Sequence, residues 1–170
     1  MNRSIKYGML GTLLLVMVGM AFSIQRAFLD LSVKDSRRLQ WEDLGLILVR
    51  GVSVTESAPY SSLVVVYFNS TCDLCVHELA QIKGRLGEFV GVPLVFISSE
   101  EREEIEEVAA GFEEDQGGFV TFLQDESQLF ATAFSVTGVP ETFVFGEDGA
   151  QRWRFRGPVK VQSILNQLAR

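Results

Sequence analysis

Cys72 and Cys75 are the only thiols in this 170-residue chain, and His77 is its only histidine. Two thiols separated by two residues can alternate between dithiol and disulfide, with the thiolate as the reactive form. They are too few for a disulfide scaffold, and with one histidine they cannot supply the four ligands of a structural zinc. Two readings remain: a redox pair, or two inert packed thiols. Position favours the first. Residues 63–68 (LVVVYF) form a continuous apolar run, as expected of a strand buried on both faces. Asn69, Ser70 and Thr71 interrupt it, and Ser or Thr there can cap a following helix. That helix opens on Cys72-Asp73-Leu74-Cys75 and continues with Val76, Leu79, Ile82, Leu86 and Phe89 as an apolar stripe. A strand fixes the sulfurs, and the helix N-terminus favours negative charge on the first of them.

The elements needed to hold this pair follow at regular intervals. A second apolar run covers 92–97, and Ser98 and Ser99 are placed to cap an acidic helix over 100–113. A short strand is expected at 119–123, a short helix at 128–134 and a clear strand at 142–145. Glu147-Asp148-Gly149 has the composition of a tight turn, with 151–155 returning as a hairpin partner and 161–168 closing as an amphipathic helix. Strands alternating with helices and ending in a hairpin predict an α/β fold, a mixed sheet with helices on both faces. Residues 27–62 are less regular, although 44–49 (LGLILV) fits an edge strand.

Ahead of this domain, residues 7–24 hold no charged side chain and follow Arg3 and Lys6. As a helix they would span roughly 27 Å, close to the apolar thickness of a bilayer. Residues 1–26 are therefore read as a signal anchor or a long cleavable signal peptide, with Ala21-Phe22-Ser23 a passable cleavage site. The length of the run favours retention. Residues 27–40 are read as a juxtamembrane linker and 41–170 as the domain, placed outside the cytoplasm because an N-terminal segment of this kind directs export. Beyond residue 26 lie 12 of the 15 basic side chains and all 22 acidic ones, a balance of −10. Such a surface argues against nucleic acid or anionic lipid as a partner.

Three features together resemble the thioredoxin fold over roughly residues 63–170: the Cys72/Cys75 pair at a strand-to-helix junction, Gly138-Val139-Pro140 before the next-to-last strand, and the EDG hairpin followed by Gly157. With the N-terminal segment and Glu78 three residues after Cys75, the chain is similar to membrane-anchored TlpA/ResA-like thiol-disulfide oxidoreductases of bacteria. The resemblance implies that Cys72 is the exposed nucleophile and Cys75 the resolving thiol. Pro140 would be cis and close to the sulfurs, Thr71 and Val139 would meet the substrate, and Glu78 would exchange protons with a raised pKa. It further implies protein thiols and disulfides of exported proteins as substrates, a membrane reductant carrier as electron source, and no cofactor.

Departures from that pattern matter. Thr71 replaces a usual tryptophan, Val66 stands where thioredoxin has a buried aspartate, and no proline separates the cysteines. Asp73 sets a negative charge beside Cys72, so a reductant or modest exchanger is expected rather than a strong oxidase. Each residue also admits a plainer role: Glu78 as a solvated helix position, His77 as simply exposed, Pro140 as an ordinary trans proline, and 100–107 as a solvated acidic face. Two other functions share the fold. A Sco-like copper-handling module needs a distant histidine, and none follows His77. A peroxiredoxin-like peroxidase has a Pro…Thr…Cys approach to its reactive cysteine, whereas Thr71 directly precedes Cys72.

Overall fold

A computed structural model describes residues 43–51, 61–112 and 119–169, with Met17 and Met20 of the N-terminal stretch. The expected signal or anchor segment and the 27–40 linker lie outside the described residues. The chain divides into Met1–Ser36 and Arg37–Arg170, and every element named below belongs to the second unit. Among the described residues no helix is long and apolar enough to cross a membrane.

Six strands make one mixed sheet: β1 (Ile47–Arg50), β2 (Ser62–Tyr67), β3 (Leu94–Ser98), β4 (Val120–Gln124), β5 (Glu141–Gly146) and β6 (Gln151–Arg156), in the order β1-β4-β3-β2-β5-β6. β2, β3 and β4 run parallel, and β1, β5 and β6 are antiparallel to their neighbours. The helices are α1 (Asp73–Lys83), α2 (Arg102–Ala110), α3 (Leu129–Ala133) and α4 (Val161–Leu168).

β2 lies between β3 and β5, and successive residues feed two separate cores, as side chains of a strand must. Val64, Val66 and Phe68 pack with Cys75, Leu79 and Ile82 of α1 and with Val161 and Ile164 of α4. Leu63, Val65 and Tyr67 join Phe130, Phe134, Phe143 and Phe145 on the other side. Each fully buried valine contributes roughly 1.5–3 kcal/mol, so β2 anchors both layers at once. A strand apolar on both faces has no in-out alternation to set its register. Pairing does so instead, with Val64 opposite Leu94 on β3 and Val144 on β5.

Local expectations differ from the structure in three places. Val76 is exposed, because the face of α1 turned to the sheet is Cys75, Glu78, Leu79 and Ile82, at helical spacing from Cys75. Cys72 itself caps α1, since Thr71 and Ser70 spend their polar groups elsewhere. The acidic helix is shorter than expected and begins from Glu101 with no side-chain cap. Ser98 instead accepts the Glu100 N–H (3.2 Å).

Candidate active site: a dithiol above a buried carboxylate

The loop between β2 and α1 is tied down by hydrogen bonds before it reaches the first sulfur. Asn69 Oδ1 accepts from the Thr71 N–H (2.9 Å) and hydroxyl (2.6 Å), and its carbonyl accepts from the Cys72 N–H (3.2 Å). The Glu100 carboxylate then accepts from the Ser70 N–H (2.7 Å), the Ser70 hydroxyl (2.7 Å) and the Ser98 hydroxyl (2.9 Å). Gln124 donates to the Glu100 carbonyl (3.0 Å). One carboxylate thus joins the loop leaving β2 to the end of β3. Its place in the acidic 100–107 run suggests a solvated side chain, and these contacts show otherwise. A signal was present, because β2 and β3 are both apolar runs followed by polar segments, and parallel neighbours end at the same sheet edge.

Cys72 is partly exposed and Cys75 fully buried, and both are free thiols. The Cys75 N–H points at Cys72 Sγ (3.4 Å), so sulfur occupies the place that a Ser or Asp oxygen usually takes at a helix start. The Cys72 thiol in turn donates to the Val139 carbonyl (3.8 Å). Cys75 is pushed up to about 12, chiefly by burial and then by its hydrogen bond with Cys72; the Asn69 backbone works against this, and negative charge on Cys72 or Glu78 adds to it. Leu74 and Val76 leave apolar surface exposed beside the reachable sulfur. Thr71 and His77 are exposed and Val139 is half-buried.

The Val139–Pro140 peptide is cis, and Pro140 is buried. The loop that carries it is braced by an ion pair between Glu141 and Arg154. Arg154 Nε meets Glu141 Oε2 at 2.7 Å, and a second guanidinium nitrogen approaches the same oxygen. The guanidinium also donates to the carbonyls of Phe134 and Ser135 (2.8 Å each), while Glu141 Oε1 accepts the Thr137 N–H (3.1 Å). From the other side, Gly157 donates to the Pro140 carbonyl (2.9 Å). Local sequence pattern points to none of these supports.

Glu78 is buried one turn below Cys75, so it is not a solvated helix position. Its Oε1 accepts from the Thr142 hydroxyl (2.6 Å) and its Oε2 from the Val159 N–H (2.9 Å). Burial raises its pKa above the usual carboxylate value, and those two hydrogen bonds oppose the rise. The structure therefore brings Cys72, Cys75, Glu78, Val139 and Pro140 together, with Thr71 at the rim. Among the described residues, no group of three His, Cys, Asp or Glu side chains could hold a metal ion.

A mixed sheet, a dithiol at the start of the helix after its central strand, and a cis-proline loop facing the sulfurs define a thioredoxin-like protein. Its sequence matches the AhpC/TSA family over residues 43–154, and the chain belongs to that family. No curated protein matches it. Among solved structures it is similar to StoA from Bacillus subtilis, at 15% identity and a TM-score of 0.58, covering 74% of this chain and 97% of that one. A cysteine-to-serine mutant of Xanthomonas campestris peroxiredoxin Q aligns at 20% identity and a TM-score of 0.59, over 75% and 90% of the two chains. A putative thiol:disulfide interchange protein DsbE from Chlorobium tepidum aligns at 14% and 0.57, over 74% and 92%. At these identities the likeness is one of fold.

Proposed function

We propose that the chain is a thiol-disulfide oxidoreductase that reduces or exchanges disulfides of exported proteins, tethered to the bacterial cytoplasmic membrane by its N-terminal segment with the domain on the outer side. The observation that carries this reading is the asymmetry of the two sulfurs: Cys72 reachable beside Val139 and Pro140, and Cys75 enclosed above Glu78. The Cys72 thiolate attacks a substrate disulfide, forms a mixed disulfide and releases one substrate sulfur with the bonding electron pair. Cys75 then gives its proton to Glu78 and attacks Cys72 Sγ. The second substrate sulfur leaves as a thiolate, solvent protonates both substrate sulfurs, and Cys72 and Cys75 end as a disulfide. Burial, the chief cause of the raised Cys75 pKa, persists when Cys72 is bound to substrate, so this step needs a base within the fold. A membrane reductant carrier would return the two electrons.

Disulfide reduction by the full chain tests the proposal. Cys72→Ser is expected to reduce turnover of insulin to background, and Cys75→Ser to accumulate mixed disulfides that survive non-reducing electrophoresis. Full activity in both variants rejects the mechanism. A second reading draws on the likeness to peroxiredoxin Q: Cys72 would reduce a peroxide instead. Hydrogen peroxide consumption that outpaces disulfide reduction would favour it.

A further inference from the structure

The two partners of Glu78 differ in kind. The Val159 N–H at Oε2 can only donate, whereas the Thr142 hydroxyl at Oε1 can donate to a carboxylate or turn and accept from a carboxylic acid. A proton on Oε2 would face another donor, while a proton on Oε1 meets an oxygen. We propose that Thr142 is the positioning residue that lets Glu78 change protonation state without leaving its buried site, and that the proton is exchanged at Oε1. This rests on the reading of Glu78 as the proton acceptor and donor for Cys75.

The placement supports it. Cys72, which caps α1, is followed at three-residue steps by Cys75 and Glu78 within the helix, and β5 opposes them with Thr142, two residues beyond Pro140. Thr142 and Glu78 are both buried, and among the described residues no buried side-chain nitrogen or oxygen lacks a partner. If the hydroxyl could not turn, protonating Glu78 would leave two donors facing each other in that enclosure, a cost that a buried polar group cannot pass to water.

The ionisable group facing Glu78 from its own helix is the Cys75 thiol. Toward this side β5 presents Thr142 and Val144, β2 presents Val66, β6 presents Phe155 and α4 presents Val161 and Ile164, none of them charged. Glu141 lies on the opposite face of β5 with Arg154, and Lys160 is exposed.

The test follows the Glu78 carboxyl directly, by isotope-edited NMR titration of the reduced full chain. In parallel, the pH profile of Cys75 attack is read from release of thionitrobenzoate held on Cys72. Thr142→Val is expected to raise the Glu78 midpoint by about one pH unit, because the hydrogen bond lost from the carboxylate is stronger than the one lost from the acid. Below the wild-type midpoint the release should slow roughly tenfold. Thr142→Ser keeps the hydroxyl and should restore both. Identical midpoints in Thr142→Val and the wild type overturn the proposal, as does a Thr142→Ser midpoint displaced as far as that of valine. If the valine variant does not fold, Thr142→Ala removes the same group and is read in the same way. Glu78→Gln separates the layers: an unchanged release profile there rejects Glu78 as the proton acceptor, while the carboxyl titration still reports on Thr142.

Discussion

Two carboxylates, Glu78 and Glu141, are equally buried on opposite sides of one sheet, and their partners give them opposite roles. Glu141 meets a guanidinium that also binds two carbonyls of the preceding loop. Its charge is matched on the spot and serves to hold the loop leading to Pro140. Glu78 meets a hydroxyl and an amide, neither of which carries a charge. Burial disfavours the anion and those two hydrogen bonds offset it only in part, so the pKa rises and the group can take up or give back a proton. A buried acid is thus a brace or a proton store according to what faces it.

That contrast is open to attack. The largest expected effect comes from Arg154→Met, which leaves Glu141 buried without its cation and the Phe134 and Ser135 carbonyls without a donor. A loss of about 3–5 kcal/mol is expected in urea unfolding; a loss under about 1 kcal/mol would mean that Glu141 is no brace.

Glu78→Gln should behave in the opposite sense, because its amide can offer oxygen to the Val159 N–H and NH2 to the Thr142 oxygen. The folded state holds the Glu78 proton more tightly than the unfolded chain does. Its contribution is therefore complete below the ordinary value of 4.5 and is lost as pH rises from there through the raised folded value. Relative to Glu78→Gln, the wild type should lose up to about 1.4 kcal/mol per pH unit across that window. Parallel stability curves for the two proteins would remove the proton-store half of the contrast.

The smallest effect is expected at Glu100, a third carboxylate with uncharged donors but only half-buried. Glu100→Gln retains one acceptor oxygen and should cost about 1 kcal/mol. Its clearer mark should be a changed alkylation rate at Cys72, whose loop it holds; an unchanged rate would show that Asn69 alone suffices.

The sequence discloses the framework better than the supports. The apolar run of β2, the CxxC placed directly after it, the EDG turn before β6 and α4 over 161–168 are local patterns, and each was legible. The N-terminal segment rests on an equally local pattern, but it lies outside the described residues. The supports are contacts between distant segments. Ser70 meets Glu100 across 30 residues, Glu78 meets Thr142 across 64, and Glu78 meets Val159 across 81. No periodicity over a window of ten residues reports such pairs, because the same Ser, Thr or Glu serves equally well in water. Val76 was misplaced for a related reason: the pattern showed an apolar stripe, but the sheet decided which edge of it turned inward.

The enclosure of Cys75 has a consequence for traffic. Because only one sulfur meets the outside, a protein captured as proposed would arrive by a single point of attachment and could not bridge the pair. Its departure would be decided by an internal group that it never touches, so different clients would be let go by one shared clock, whatever their shape.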